Sequence, residues 1–483
     1  MTGTASSEPG VVVRGALSVT QRGSVATSGS GGSRSNKEGG ASPRTPAEGG
    51  TIDRMLQMRT LLVLYVTYAL FYLPRKADSV VKSSLHEVEG FSLAAISFAD
   101  TSYLLTYSCM LFVSGVIGSK FKSNKVLAVG LCGISACSFM KAHVTTSSNA
   151  YAALQVMHGV FQSAGWPTCI RLLSVWITEN RGFIMGLWTT CQSLGGILGA
   201  VIATHYLGQG SIHGVWHWVY YYHVPLLPIW AVVVYFTIQD HPPMSVQKTS
   251  RWANADDIES SEGLLNPPAG SSKLRPRKAQ TLPLKQVIAV PGVVGIAFAY
   301  FFLKFLRYAL LLWLPYYFHE GLGFEKRLSG YISTSFEVGG LIGTPLIGRV
   351  MDKMMNGNGA RASATFLALA SGFLLCDELF ARSGVVFNAL MMVCIGILVI
   401  GPDSILSGTI AQTIGKRSGL DSKAVGIIAG FINSVGSAGS ILQSPATAFI
   451  SNAYGWNTLF LVFVFCSVTC SAILFRASSA QQD

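Results

Sequence analysis

The chain has 483 residues, of which 50% are apolar and only 12% charged, with 51 glycines and a formal net charge of +12; its mean hydropathy is +0.44. An ordinary soluble domain carries about 25% charged residues, so the composition all but excludes a water-soluble enzyme of this length. The basic residues flank apolar runs instead of forming a dense basic face, which points to membrane orientation and lipid headgroups and away from nucleic acid.

Residues 1–50 are rich in Ser, Gly, Thr and Ala and nearly devoid of large apolar side chains. Such a segment cannot bury enough surface to order itself, so 1–55 is expected to be a disordered cytosolic tail. It lacks the apolar core of a secretory signal. Its serines and Arg14, Arg22, Arg34 and Arg44 suit an organelle-targeting peptide, whereas Glu8, Glu38 and Glu48 oppose one.

A spanning helix needs about 20 apolar residues. Runs of that kind predict twelve spans, at 57–80, 93–118, 125–143, 149–175, 182–207, 215–238, 287–316, 329–350, 363–381, 385–407, 423–449 and 456–476. Their length argues for helices, since barrel strands are short and alternating. The stretch 239–285 holds Pro242, Pro243, Pro267 and Pro268, an acidic cluster (Asp256, Asp257, Glu259, Glu262) and a basic one (Lys273, Arg275, Arg277, Lys278). It reads as a solvated linker between two six-helix bundles, 56–238 and 286–477, with 478–483 as a short tail. Lys120, Lys122, Lys125, Lys353, Arg361, Lys416, Arg417 and Lys423 fall in alternate loops, while 208–214 and 450–455 carry no Lys or Arg. The positive-inside rule then predicts cytosolic termini and a cytosolic linker. The nine cysteines all lie in apolar runs without CxxC or Cys/His spacing, so they read as small buried residues and predict no metal site.

The two halves repeat. Tyr68 to Arg75 in span one matches Tyr300 to Arg307 in span seven, Gly186–Leu198 in span five matches Gly430–Leu442 in span eleven with Gly195 and Gly439 in step, and Gly115-x3-Ser119-Lys120 parallels Gly348-x3-Asp352-Lys353. Two related six-helix halves joined by a linker are the architecture of the major facilitator fold; the fold class is therefore an all-α membrane protein with twelve transmembrane helices in two pseudo-symmetric bundles.

Charges inside spans are costly and ask for a reason. Arg307 lies deep in its run, and Arg75 is its repeat partner, so the two guanidiniums are expected to face one central cavity. Arginine presents a planar, bidentate donor fork matched to phosphate. Tyr68 and Tyr72 share the helical face of Arg75, Lys304 lies one turn before Arg307, and Glu337 is the acid of span eight, able to pair with Arg307 either as a switch or as a static support. Asp100 and His158 are expected to make hydrogen bonds between helices. No GxSxG, HExxH, phosphate-loop or dinucleotide pattern occurs in a fitting context, so neither an enzyme site nor a cofactor is predicted.

Taken together, Tyr72-Leu-Pro-Arg75-Lys76, Gly165-Trp-Pro-x-Cys169, Arg181-Gly-Phe-Ile-Met-Gly-Leu-Trp188, Arg307-Tyr-x4-Trp313-x-Pro315 and Phe336-Glu337-x-Gly339-Gly340 resemble the organophosphate:inorganic phosphate antiporters, over 56–476 and in the same order. The arginine-initiated stretch is most similar to that of the eukaryotic sugar-phosphate exchangers. The resemblance implies exchange of an organic phosphate, such as a sugar phosphate or glycerol 3-phosphate, for inorganic phosphate. It implies that Arg75 and Arg307 bind the phosphoryl group, with Tyr68, Tyr72, Tyr107 and Glu337 at the family's other site positions. Leu111, Val175 and Ser119 depart from the bacterial glycerol-3-phosphate transporter, which has a lysine and a histidine at the first two positions; the superfamily has an acid at the third. Lys304 is a candidate replacement for the missing positive charge.

Two other readings are an organic-anion carrier whose arginines bind a carboxylate, separated by phosphate competition, and a sugar-phosphate receptor, marked by binding without flux. A monomer suffices for the expected site. The carbon skeleton and the membrane (plasma membrane, endoplasmic reticulum or plastid-type envelope) are left open by the residues.

Overall fold

The structure, a computed structural model, describes residues 46–144, 147–177, 181–207, 215–241, 290–417 and 422–479. Most of the expected tail, all of the linker beyond residue 241 and residues 480–483 lie outside them. No strand occurs among the described residues.

The first half comprises α1 (Pro46–Val80), α2 (Lys82–Glu87), α3 (Leu93–Lys120), α4 (Ser123–Val144), α5 (Ser148–Gln162), α6 (Gly165–Trp176), α7 (Arg181–Thr189), α8 (Cys191–Leu207), α9 (Trp218–Tyr221) and α10 (His223–Thr237). The second comprises α11 (Val293–Tyr316), α12 (Lys326–Met354), α13 (Gly359–Phe380), α14 (Val385–Ser404), α15 (Ile410–Arg417) and α16 (Ser422–Ser479). α16 contains two rods, since Gly455 breaks it at φ 83°, inside the predicted gap at 450–455.

Eight segments among the described residues are long and apolar enough to cross a membrane by length and composition. One of them, Ile427–Ser479, contains both rods of α16. The three other predicted spans form helices as well. α3 fills 93–118, α5 and α6 together fill 149–175 with a break at Ser163 and Ala164, and α12 covers 329–350 with Glu337 and Arg349 diluting its apolar character. The first helix begins at Pro46 rather than near residue 56. Proline is at home in a first helical turn, where its missing N–H has no partner to lose, and the apolar-run criterion cannot see a polar first turn.

The repeat is carried into packing. α1 lies on α8 as α11 lies on α16, and α3 lies on α5 as α12 lies on α14. These contacts are close because glycine makes them so. A Cβ on Gly195 would collide with the Ala69 carbonyl oxygen, and one on Gly439 with that of Phe301. Each half has its own apolar core, one around Phe71, Leu131 and Trp188 and the other around Leu306, Phe336 and Phe460. A third cluster is shared by both halves and joins Ala77, Val80 and Tyr220 to Leu311, Trp313, Tyr316 and Ala448. It seals the end of the bundle where α1 and α11 finish. At the opposite end of the first half, the Asp240 carboxylate accepts the Ser123 N–H at 2.9 Å and pairs with Arg171 at 3.3 Å.

Candidate substrate cavity between the two halves

A cavity of about 340 Å³ opens between the halves, lined by α1, α3, α6 and α8 on one side and by α11, α12, α14 and α16 on the other. Five of the predicted residues line it: Tyr68, Tyr72, Tyr107, Lys304 and Arg307. Leu111 also lines it, so the departure from the bacterial lysine is felt in the cavity wall, whereas Val175 packs against the first-half core.

Arg75 stands just behind this wall and is 4% exposed. Its guanidinium carbon lies 4.7 Å from the Tyr72 ring centre and 4.8 Å from that of Tyr107, a cation–π sandwich. Its Nε and Nη2 have no hydrogen-bond partner. Buried donors are seldom left so, and an arriving oxyanion would satisfy them. Tyr72 also donates its hydroxyl to Gln192 Oε1 at 2.7 Å, and Arg307 Nη2 reaches the same oxygen at 3.5 Å. Arg75, Tyr72, Gln192 and Arg307 therefore form one continuous line of contacts across the interface. Lys304 Nζ lies 5.0 Å from the Tyr300 ring centre and 5.8 Å from that of Tyr308.

The expected pairing of Glu337 with Arg307 is not what the structure contains. Glu337 pairs with Lys76 at 3.4 Å, and Arg307 pairs with Asp403. The physical reason is the close approach of α12 to α8. The Glu337 carboxyl lies against Gly196, where a Cβ would stand 3.0 Å from it, and this contact turns it toward α1. Lys76 in turn donates to the Leu311 carbonyl at 3.3 Å, so this ion pair ties three helices from both halves together beside the cavity.

Sequence reasoning missed Asp403 and Gln192. Asp403 follows Pro402 at the end of α14, immediately before a π-helical turn at Ile405–Thr409, an irregularity that often marks functional positions. Asp100 and His158 do make the expected interhelical contacts. Asp100 pairs with Lys82 and accepts from Ser444 at 2.9 Å. His158 lies 2.9 Å from Lys141 Nζ and 3.4 Å from Asp78 Oδ2; Asp78 is itself held by Lys141 at 2.9 Å and by the Tyr220 hydroxyl.

The sealed end also carries a further repeated motif. His-Glu-x-x-Gly-Phe occurs at 86–91 and again at 319–324. In both copies the histidine Nδ1 faces the phenylalanine carbonyl oxygen, at 2.7 Å for His86 and 2.6 Å for His319, and the glycine adopts positive φ, +68° at Gly90 and +75° at Gly323. A residue with a Cβ strongly disfavours that conformation, which is what the shared Gly supplies.

The Major Facilitator Superfamily profile matches residues 63–442. Among curated proteins the chain is similar to "Putative glycerol-3-phosphate transporter 2" of Arabidopsis thaliana, 29% identical over 455 residues, covering 89% of this chain and 88% of that protein. It is similar to "Glucose-6-phosphate exchanger SLC37A2" of Xenopus tropicalis, 25% identical and covering 86% and 91%. It is also similar to "Sugar phosphate exchanger 3" of Bos taurus, 24% identical and covering 90% and 95%. Among solved structures, a bacterial homologue of the human lysosomal transporter Spinster, in an inward-facing and unoccupied conformation, superposes with a TM-score of 0.66 at 12% identity, covering 88% of this chain and 98% of that one. A D-xylose–proton symporter gives 0.60 at 12% identity, covering 86% and 96%. At such identities the structural likeness speaks for the fold alone.

Proposed function

The chain belongs to the Major Facilitator Superfamily, and on that premise we propose that it is a secondary carrier exchanging an organic phosphate, a sugar phosphate or glycerol 3-phosphate, for inorganic phosphate. It is an integral, multi-pass membrane protein. The observation that carries the reading is a cavity between the two halves bordered by Lys304 and Arg307, with Arg75 behind its wall offering two unpartnered buried donors. The curated relatives support it by name, as transporters and exchangers of phosphorylated metabolites.

The mechanism follows from the charges. Arg75 belongs to the first half and Arg307 to the second. A phosphoryl group offers three oxygens and can engage both forks at once. Bridged in this way, the halves are drawn together, and the loaded carrier can rock about the cavity while the empty one, with the charges of Arg75 and Lys304 unneutralised, crosses slowly. Exchange is thereby obligatory. Tyr72 and Tyr107 hold the Arg75 guanidinium in position, and Gln192 couples Tyr72 to Arg307. In this reading Glu337 is a support for the interface through Lys76, not a direct phosphate contact. The sealed end faces away from the cytosol, and both termini and the linker are cytosolic, as the loop charges predict. One chain supplies both halves of the cavity, so a monomer is sufficient.

The test uses the full-length protein in proteoliposomes loaded with unlabelled phosphate and given labelled phosphate outside. Uptake that depends on internal phosphate, and that falls when a sugar phosphate or glycerol 3-phosphate is added, is the expected result. A folded protein that exchanges no phosphate overturns the reading.

A further inference from the structure

The charged side chains around the cavity add up to a definite number. Lys76 is cancelled by Glu337 and Arg307 by Asp403. In the layer beyond, Lys82 is cancelled by Asp100 and Lys141 by Asp78. Among the described residues, two cations near the cavity have no carboxylate in an ion pair with them, Arg75 and Lys304, and the second lines it directly. The formal charge offered to a ligand is therefore about +2, with every pair ionised. A phosphomonoester near neutral pH carries roughly −1.5 to −2.

Asp403 is the residue that fixes this number. It lines the cavity with Lys304 and Arg307, and while one carboxylate oxygen pairs with Arg307 the other, Oδ1, is buried without a hydrogen-bond partner. The first half has no equivalent acid. Aligning Pro167 with Pro402, the prolines that open the corresponding stretches of α6 and close α14, puts Thr168 opposite Asp403. Among the residues lining the cavity, a single acid thus stands beside a single arginine, on one side only.

Building on the phosphate-exchange reading, we propose that Asp403 is a charge filter that restricts the organic substrate to phosphomonoesters with an uncharged, hydroxyl-bearing carbon skeleton. Such dianions match the +2 cavity, and a skeleton hydroxyl can donate to Asp403 Oδ1. A phosphorylated carboxylic acid brings a third negative charge and no donor for that oxygen at its carboxylate, so it meets Asp403 as a like charge in a poorly solvated site. Inorganic phosphate, as the hydrogenphosphate dianion, satisfies both conditions through its own P–OH.

The experiment is competition in the phosphate-loaded proteoliposomes. Glycerol 3-phosphate and glucose 6-phosphate are compared with 3-phosphoglycerate and phosphoenolpyruvate as inhibitors of labelled-phosphate uptake. The readout is the ratio of half-inhibitory concentrations, which does not depend on the fraction of active protein. The wild type is expected to favour the uncharged skeletons at least tenfold. Asp403→Asn is expected to shift that ratio at least tenfold toward the phosphorylated acids, and Asp403→Glu to keep the wild-type preference. A wild type that accepts both classes equally overturns the proposal, and so does an unchanged ratio in Asp403→Asn. Should Asp403→Asn not fold, Asp403→Ser is held to the same criterion. Exchange with an unchanged ratio removes the filter and leaves the transport reading standing. A folded wild type without any phosphate exchange removes the transport reading and the filter with it.

Discussion

Glu87 and His319 meet at 2.7 Å across the two halves of the bundle, at the end sealed by the shared apolar cluster. The His319 ring donates at its other nitrogen to the Phe324 carbonyl, and Lys326 reaches Glu87 at 2.5 Å. One carboxylate of the first half thus gathers two basic side chains of the second. Exposed pairs of this kind contribute ~0.5–1 kcal/mol, enough to bias a conformational equilibrium. Glu87→Gln is expected to let a cysteine at the buried position Ser83, in a background free of the native cysteines, react about two- to five-fold faster with a membrane-impermeant maleimide. An unchanged rate would mean that this contact does not hold the seal.

Replacing either Arg75 or Arg307 by lysine removes the bidentate fork while keeping the charge. Arg75→Lys and Arg307→Lys are each expected to lower phosphate exchange by roughly 10²-fold or more. Size-exclusion profiles and melting temperatures close to wild type would show that the loss is one of site chemistry. Full exchange by either variant would remove that arginine from the site.

The Lys76–Glu337 pair is buried, with both side chains 2% exposed. Breaking such a pair from one side costs about 3–5 kcal/mol, whereas exchanging both partners for apolar residues of similar size is often neutral. Glu337→Leu should therefore lower the melting temperature in detergent markedly, and Lys76→Met with Glu337→Leu should recover most of the loss. A double variant no more stable than the single one would show that the two charges are uncoupled.

Gly195 and Gly439 allow their helices to touch backbone to backbone, whereas a Cβ on Gly186 would meet nothing within 4 Å. Gly195→Ala and Gly439→Ala are expected to destabilise by about 1–3 kcal/mol through overpacking. Gly186→Ala should be neutral or slightly stabilising, since alanine favours the helix. Thermal melts of the three variants side by side test this, and equal melting temperatures would count against the contacts.

Much of this was legible in the residues. The apolar runs located the rods because a bilayer span has to be apolar for its whole length. The arginines stood out because a deep charge in such a run is costly, and the repeat then paired Arg75 with Arg307. Gly195 and Gly439 were legible as a pair for the same reason. Asp403 was not, since it lies near the end of its run, where a lone acid reads as the approach to a loop. Its importance depends on which helix faces Arg307, and that is a matter of packing between α11 and α14. Glu337 stood out as an acid in a span, yet its partner was decided by the contact with Gly196, a feature of helix approach and not of local sequence. The repeated His-Glu-x-x-Gly-Phe was present to be found, but a six-residue motif with two variable positions carries weight only once both copies are seen to make the same turn.

The apolar cluster shared by Val80, Leu311, Trp313, Tyr316 and Ala448 gives the carrier a thermal character. Any movement that parts the halves at this end brings those side chains into contact with water. Hydration of apolar surface raises the heat capacity, and its free-energy cost shrinks on cooling. The contribution of this seal to the balance between the two openings therefore curves with temperature and weakens in the cold.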